Sequence, residues 1–272
     1  MKNLVVVYLA SLRDSSWLKW TRLDCLHASI CLLKKHVKPL PVIVFHEDYN
    51  DDDKARLLSS GVDITFDKVD FSGMEKFHIN LRPDNRVGSY GYCMMCRFFS
   101  GVVQNHPLLR PYSHYMRLDD DSYIISGVDN ESLNMMLQND YVYNSLFSDP
   151  NESLWRFTLD FMKRERIPHR MKYQEMVPYT NFHISSLNLW RHPIIKKYTD
   201  EIEKCHGCLS QRWDDAQIGL MVSILAKQLG FKVAVVDFPY RHNQQCCHKG
   251  PHTIYCKDGV NDQYPWGPPE SL

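Results

Sequence analysis

The first 70 residues alternate short apolar runs with segments whose apolar residues recur at helical spacing. Runs of apolar and β-branched residues at 3–10, 40–46 and 62–69 predict three buried β-strands. Between them, 17–35 predicts a helix, and 51–60 predicts a short polar helix whose acidic first turn suits the helix dipole. This strand–helix alternation predicts an α/β fold built on a mostly parallel sheet.

More helices and strands are predicted beyond residue 90. The helical patterns cover 90–104, 133–137, 153–166, 192–204 and 213–229. The strand-like patterns cover 115–118, 141–146 and, as the last strand, 232–236, while 180–189 predicts a strand pair or a strand and a turn. The tail from residue 244 is rich in Cys, His, Gly and Pro and is predicted to wrap the surface. Without a repeat or a clear linker, the pattern predicts one domain over 1–272.

The apolar run at 115–118 ends in three consecutive carboxylates, Asp119, Asp120 and Asp121. Alternate residues of a strand point to opposite faces, so Asp119 and Asp121 can share one side. Two carboxylates on one side suit a hard divalent cation such as Mg²⁺ or Mn²⁺, and such a cation suits a diphosphate. The alternative interpretation of the triplet is a solvated turn.

The loop after the first strand is a second candidate for ligand binding. In mostly parallel sheets, ligands bind beyond the carboxyl ends of the strands, and the loop that begins at Ala10 lies there. Arg13 in this loop is placed to reach a phosphate. The alternative is an ordinary surface arginine.

The charge balance and the hydropathy exclude several classes of protein. The 272 residues carry 32 basic and 32 acidic side chains, which disfavours a nucleic-acid binder that relies on a basic surface. No run of 18 apolar residues predicts a transmembrane helix. The N-terminal apolar run lacks the length and the cleavage site of a signal peptide. These features predict a soluble, cytoplasmic protein.

Nine cysteines leave a structural role open. The spacings Cys93-x-x-Cys96 and Cys205-x-x-Cys208 are typical of zinc sites, and the tail adds Cys246, Cys247, His248 and Cys256. Alternatively, the first pair packs as small hydrophobic side chains, and the later cysteines form disulfides if the compartment permits. A zinc-binding interaction module without catalysis is therefore one alternative function, and a metal-dependent phosphoesterase is another.

Several segments, in order, resemble the fungal α-mannosyltransferases of glycosyltransferase family 15. The matching segments are Tyr-Cys-Met-Met-Cys-Arg-Phe-Phe-Ser-Gly at 92–101, His-Pro-Leu-Leu at 106–109, Arg-Leu-Asp-Asp-Asp at 117–121, Asn-Phe-His-Ile at 181–184, Leu-Trp-Arg at 189–191, Arg-Trp-Asp-Asp-Ala at 212–216 and Tyr-Arg-His at 240–242. They are colinear and span roughly residues 90 to 245.

The resemblance implies a single GT-A domain with a central mixed, mostly parallel sheet flanked by helices. A nucleotide-sugar-binding half would cover about 1–121, and an acceptor-binding half with the C-terminal tail about 122–272. It also implies a metal-dependent enzyme of glycan biosynthesis that moves a sugar from a nucleotide-sugar donor, GDP-mannose in this family, to a hydroxyl of an oligosaccharide or glycoprotein. If an N-terminal anchor has been removed, the Golgi lumen is the alternative location.

The resemblance also implies roles for individual residues. Asp119, Asp121 and His242 take the positions of metal ligands for Mn²⁺ or Mg²⁺, and their Asp-x-Asp pattern is the one such enzymes carry. Asp119 also belongs with Asp120, Ala10 and Arg13 to the predicted donor site. Tyr92 and Arg97 match donor-site positions of the family, against the alternatives of a buried aromatic residue and a helix salt bridge.

Two departures from the family pattern affect the chemistry. His183 stands where the family has a glutamate, and Asp119-Asp120-Asp121 stands where it has Glu-Pro-Asp. The donor can therefore differ, with a UDP-sugar such as UDP-xylose as the alternative, and the stereochemical course is open. Asp215, and after it Asp214, are the candidate catalytic bases, with His183 as the third catalytic candidate. The alternative for the two acids is a favourable interaction with a helix dipole.

Overall fold

The computed structural model describes residues 3–10, 21–79, 89–168 and 172–242. Its strands are β1 (Leu4–Ala10), β2 (Val42–His46), β3 (Ile64–Lys68), β4 (His114–Leu118), β5 (Ser122–Ile124), β6 (Tyr141–Tyr143), β7 (Leu146–Ser148), β8 (Met176–Pro178), β9 (Phe182–Ser186), β10 (Val233–Val235) and β11 (Tyr240–His242). Its α-helices are α1 (Arg22–His36), α2 (Asp51–Leu58), α3 (Tyr90–Arg97), α4 (Asn130–Met136), α5 (Glu152–Arg164), α6 (Leu187–Arg191), α7 (Pro193–Lys204), α8 (Gly207–Ser210) and α9 (Asp215–Gln228).

Seven strands form the central sheet in the order β10-β6-β9-β4-β1-β2-β3. Strand β9 runs antiparallel to both of its neighbours, and the other neighbouring pairs are parallel. Two antiparallel pairs, β5 with β11 and β7 with β8, lie outside it. The predicted α/β fold with a mixed, mostly parallel sheet is confirmed.

Both faces of this sheet are buried, as helices on both sides require. Alternate residues of β1 divide between two hydrophobic cores: Val5 and Val7 pack into one, and Val6 and Tyr8 pack into the other. The continuous apolar run of β1 follows from this burial, because both of its faces are covered. None of the helices in the described part of the chain has the length and apolar character that crossing a bilayer requires.

The segment 90–104, predicted as one helix, is interrupted. Helix α3 ends at Arg97, and a π-helical turn, Phe98–Val102, follows it. Gly101 in that turn has φ of 134°, a backbone conformation that side chains disfavour. A Cβ on Gly101 would lie 2.9 Å from Cβ of Thr199 in α7, so the glycine also permits close helix packing.

Three strand predictions need correction. The segment 141–146 divides between β6 and β7, which belong to different sheets. The segment 180–189 contains one strand, β9, which leads into α6. The strand at 232–236 is not the last, because β11 follows it. Strand β11 has only three residues and includes Arg241 and His242, so it lacks the apolar alternation that predicts a strand.

Replacing Gly207 by alanine should destabilise the fold. A Cβ at this position of α8 would lie 2.2 Å from Cε3 of Trp213, a buried residue that leads into α9. Overpacking of this kind costs about 1–3 kcal/mol, so the urea midpoint should fall. The matched control is Gly127→Ala, because no heavy atom lies within 4 Å of the added Cβ. Equal urea midpoints for the two variants would contradict this account of the contact.

Candidate active site

The acidic triplet forms a tight turn at the carboxyl end of β4. The backbone N–H of Asp119 donates to the carbonyl of Asn181 at 3.1 Å, and the N–H of Ser122 donates to the carbonyl of Asp119 at 3.0 Å. These bonds fix the turn between β4 and β5. Asp119 and Asp121 lie on one side of it, as predicted, because their carboxylate oxygens are less than 4.8 Å apart.

His242 joins these two carboxylates through strand pairing. Strand β11 pairs with β5 so that His242 lies opposite Ser122, next to the triplet. Its Nε2 lies 3.0 Å from Oδ1 of Asp121. Its Nδ1 lies 3.2 Å from the hydroxyl of Tyr179, which orients the ring. In the described part of the chain, this is the one group of three His, Cys, Asp or Glu side chains arranged to hold a metal ion.

The donor atoms of this cluster fit a hard divalent cation. Two carboxylate oxygens and one imidazole nitrogen form a set that Mn²⁺ accepts and that Mg²⁺ can also use. Burial by itself would raise the pKa of Asp121 and lower that of His242. Their mutual contact outweighs burial, so the pKa of Asp121 lies below its usual value and that of His242 above. The cluster therefore keeps Asp121 ionised, as a metal ligand must be.

A buried arginine, Arg117, links this cluster to Asp215. Its guanidinium Nε donates to Oδ1 of Asp119 at 3.0 Å, and its Nη1 forms an ion pair with Asp215. The same guanidinium packs 3.8 Å from the ring centre of Phe99. Thr180 donates a second hydrogen bond, of 2.5 Å, to the Asp215 carboxylate. The carboxylates of Asp119 and Asp215, which are far apart in sequence, thus contact the same guanidinium.

Asp215 is ionised despite its burial. Burial raises its pKa, but the ion pair with Arg117 and the hydrogen bond from Thr180 together lower the pKa by more than burial raises it. The pKa of Asp215 therefore lies below the usual value. A base that takes a proton from an acceptor hydroxyl works best with a pKa near the operating pH. The geometry therefore favours Asp215 as a fixed negative charge or an acceptor-orienting group over Asp215 as a base.

Asp214 begins the helix. It is the N-cap residue of α9, not a first-turn residue as predicted: its carboxylate accepts from the N–H of Gln217 at 2.8 Å. The Gln217 side chain accepts in return from the N–H of Asp214 at 3.2 Å. Burial, followed by a side-chain contact with Asp149, raises the pKa of Asp214 well above its usual value. These contacts show that Asp214 caps the N-terminus of helix α9.

His183 lies opposite Arg117 in the β4–β9 register and is buried. The Tyr115 hydroxyl accepts from the side-chain amide of Gln104 at 2.8 Å and forms a second hydrogen bond, also of 2.8 Å, with Nε2 of His183. Burial, with the charge of Arg117, lowers the pKa of His183 to about 3. The side chain is neutral near pH 7, so it does not replace the negative charge of a carboxylate at this position.

The other predicted donor-site residues have varied surroundings. Ala10 is buried at the end of β1, opposite His46 of β2. Arg13 lies outside the described residues. Tyr92 on α3 has a pKa raised well above its usual value by burial and by the nearby Cys96, Asp214 and Asp215, so it adjoins the Asp215 side of the site. Arg97 forms an ion pair with Glu203 of α7 through three hydrogen bonds, so the alternative interpretation of Arg97 as a helix salt bridge describes its contacts.

Comparison with known proteins assigns the chain to a family. The family model described as glycolipid 2-alpha-mannosyltransferase matches residues 85–266, about two thirds of the sequence. The chain belongs to the glycolipid 2-alpha-mannosyltransferase family. This membership confirms the resemblance seen in the sequence, and the matched segment contains Asp119, Asp121, Asp215 and His242.

The curated relatives that match this chain are longer than it is. It is 27% identical over 158 residues to the glycolipid 2-alpha-mannosyltransferase of Saccharomyces cerevisiae, covering 51% of the chain and 35% of that protein. It is 26% identical over 233 residues to glycolipid 2-alpha-mannosyltransferase 2 of Candida albicans, covering 72% of the chain and 50% of that protein. The aligned part is thus half or less of each relative.

Solved structures share the fold of this family member along almost its whole length. Core-mannan synthase A from Aspergillus fumigatus, in its Mn/GDP form, superposes with a TM-score of 0.74 at 18% identity, covering 97% of this chain and 82% of that one. The mannosyltransferase Ktr4p from S. cerevisiae, in complex with GDP, gives a TM-score of 0.73 at 18% identity, covering 97% and 78%. The GT-A-like fold implied by the resemblance is therefore confirmed.

Sequence reasoning gave no role to two charged residues of the site, Arg117 and Arg22. Arg22, the first residue of α1, forms ion pairs with Asp120 at 2.5 Å and with Asp121 at 3.1 Å. Asp120, predicted to bind the donor, is thus paired with an arginine nearly 100 residues away in sequence. No local pattern around Arg22 signals this contact, since only the packing of α1 against β5 creates it.

The cysteine pairs of this family member do not form the predicted zinc site within the described residues. Cys93, Cys96, Cys205 and Cys208 are free thiols there, and the first two are buried in α3. They behave as the small hydrophobic side chains of the alternative interpretation. Cys246, Cys247, His248 and Cys256 lie outside the described residues.

Replacing His183 by glutamine should flatten the dependence of stability on pH. Between about pH 6.5 and pH 3 the unfolded histidine binds a proton while folded His183 does not, so the free energy of unfolding falls as the pH drops through this window. The contribution of this group is at most about 1.4 kcal/mol per pH unit. Urea unfolding of both proteins at pH 7, 6, 5 and 4 measures the difference. Parallel pH profiles would show that folded His183 takes up a proton as readily as an unfolded one.

Proposed function

We propose that this chain is a metal-dependent glycosyltransferase that moves a mannosyl group from GDP-mannose to a hydroxyl of a glycan acceptor. The observation that carries the proposal is the grouping of Asp119, Asp121 and His242 at the carboxyl end of β4. In α/β sheets this edge is where ligands bind. Family membership favours this function over the zinc-binding module and the phosphoesterase.

The donor is inferred from the relatives. One solved neighbour is described in an Mn/GDP form and another in complex with GDP, which supports a guanosine donor and Mn²⁺. His183, at the position of the family's glutamate, keeps a UDP-sugar such as UDP-xylose as the alternative. Relatives named for glycolipid and O-glycoside mannosyl transfer support an oligosaccharide or glycoprotein as the acceptor class.

Asp119, Asp121 and His242 would hold Mn²⁺, or Mg²⁺, which when bound supplies positive charge that stabilises the leaving nucleotide diphosphate. Arg117 holds both Asp119 and Asp215 through contacts with the same guanidinium. We assign Asp215 the role of stabilising positive charge on the transferring sugar or of orienting the acceptor hydroxyl. Its lowered pKa suits this role and favours a retaining course, which needs no strong base.

We also propose a division of the chain into two halves and a location for the protein. The proposed nucleotide-sugar-binding half ends at about residue 121, with the acidic triplet, and the proposed acceptor-binding half follows it. The location, cytoplasmic or in the Golgi lumen, stays a prediction.

Replacing Asp121 by asparagine should abolish nucleotide binding that depends on Mn²⁺. With GDP at about 100 times its dissociation constant, the wild-type protein should gain about 2.7 kcal/mol, seen as a higher thermal unfolding midpoint. Asp121→Asn should lose this gain, because one of three metal ligands loses its charge. The control is Asp200→Asn, an exposed residue paired with Lys196 on α7.

The same assay distinguishes the alternatives. If Mn²⁺ with UDP raises the thermal unfolding midpoint and Mn²⁺ with GDP does not, the donor is a UDP-sugar. If Mn²⁺ with GDP raises the midpoint of Asp121→Asn as much as that of the wild type, the proposed metal site is wrong. No shift with any nucleotide would contradict the proposed function.

Replacing Asp215 by asparagine should reduce turnover at least 100-fold. Mn²⁺ with GDP should still raise the thermal unfolding midpoint of this variant. Asp215 lies outside the metal cluster, so its loss should affect the reaction more than donor binding. The matched control is Asp214→Asn, because asparagine caps helices about as well as aspartate. The rate is measured as release of GDP from GDP-mannose with an oligosaccharide acceptor. Turnover of Asp215→Asn within about threefold of wild type would remove Asp215 from the catalytic residues.

A further inference from the structure

Arg22 stands directly beside the candidate metal cluster. Its Nη2 contacts Oδ1 of Asp120 at 2.5 Å, and its Nη1 contacts Oδ2 of Asp121 at 3.1 Å. The other oxygen of Asp121 faces His242 at 3.0 Å. One carboxylate is therefore shared between the metal cluster on one side and the guanidinium of Arg22 on the other.

The guanidinium lies on the open side of these acids. The side chains of Asp120 and Asp121 are 2% and 6% exposed, whereas that of Arg22 is 26% exposed. A guanidinium has five N–H donors, and these two contacts use two of them. Among the described residues, the guanidinium therefore keeps three N–H donors for a further acceptor.

The charges around the cluster are unequal. Four acidic residues, Asp119, Asp120, Asp121 and Asp215, lie there with the two guanidiniums of Arg22 and Arg117 and the imidazole of His242. A divalent cation offsets that excess, but a diphosphate bound to the cation brings negative charge of its own. Arg117 is enclosed, with a side chain only 2% exposed, so Arg22 is the one of the two that can meet this charge.

The helix that carries Arg22 contributes in the same direction. Arg22 is the first residue of α1, and the preceding Thr21 is its N-cap. A helix N-terminus presents backbone N–H groups and a partial positive charge, both of which favour phosphate. Arg22 also lies outside residues 85–266, so the family match assigns it no role.

We propose that Arg22 binds the diphosphate of the donor next to the metal, in addition to holding Asp120 and Asp121. This inference rests on the proposed function. Before the donor binds, Arg22 is the counter-ion of the two acids. When it binds, the free N–H donors of the guanidinium contact phosphate oxygens as charge-assisted hydrogen bonds.

The test compares Arg22→Met with the wild-type protein in two titrations, Mn²⁺ alone and GDP at saturating Mn²⁺. We expect the affinity for GDP to fall at least tenfold more than the affinity for Mn²⁺. Hydrogen bonds to charged groups are worth about 1.5–3 kcal/mol, which corresponds to such a loss. The control is Arg164→Met, which removes another arginine ion pair, with Glu201, from the surface of α5.

The result that overturns the proposal is a loss of GDP affinity that exceeds the loss of Mn²⁺ affinity by less than tenfold, since Arg22 would then only hold the acids. If wild-type protein binds neither GDP nor UDP with Mn²⁺, the proposed function itself fails. If the wild type binds and Arg22→Met binds equally well, only the role of Arg22 fails. Should Arg22→Met not fold, Arg22→Lys replaces it: lysine keeps the charge but loses the planar fork, and GDP affinity should fall at least threefold more than Mn²⁺ affinity.

Discussion

The candidate active site depends on one buried positive charge, the guanidinium of Arg117. It holds Asp119 of the metal cluster and Asp215 at the start of α9 in fixed positions relative to each other. A buried ion pair contributes little net stability, but removing one partner leaves an uncompensated charge that costs about 3–5 kcal/mol. Loss of Arg117 would therefore leave Asp119 and Asp215 without the guanidinium that holds both. Catalytic geometry and folding depend here on the same residue.

Strand pairing supplies the remaining precision. The antiparallel strand β9 lies between β4 and β6, and its register sets His183 opposite Arg117. The short β5–β11 pair sets His242 next to the acidic triplet. Backbone hydrogen bonds from Asp119 and Ser122 then fix the turn itself. The side chains of the cluster are thus positioned by main-chain contacts.

Local sequence patterns account for much of the fold and for part of the site. Continuous apolar runs are enough to predict β1 and β2, because strands buried on both faces have no polar side to alternate. The triplet is visible because acids follow a strand. The π-helical turn after Arg97 depends on packing against Thr199, and the contacts of Arg22 and Asp215 join residues about 100 positions apart. Such contacts arise from tertiary structure, so neither spacing nor composition reveals them.

Strand β11 carries a consequence for biogenesis. Because His242 is delivered by a strand that lies more than 100 residues after the acidic triplet, a nascent chain exposes Asp119 and Asp121 long before their imidazole partner is synthesised. Until then the two carboxylates are an incomplete ligand set, so a metal ion could be held by all three side chains only after β11 has paired with β5. Binding of such an ion would therefore stabilise the chain in its folded state.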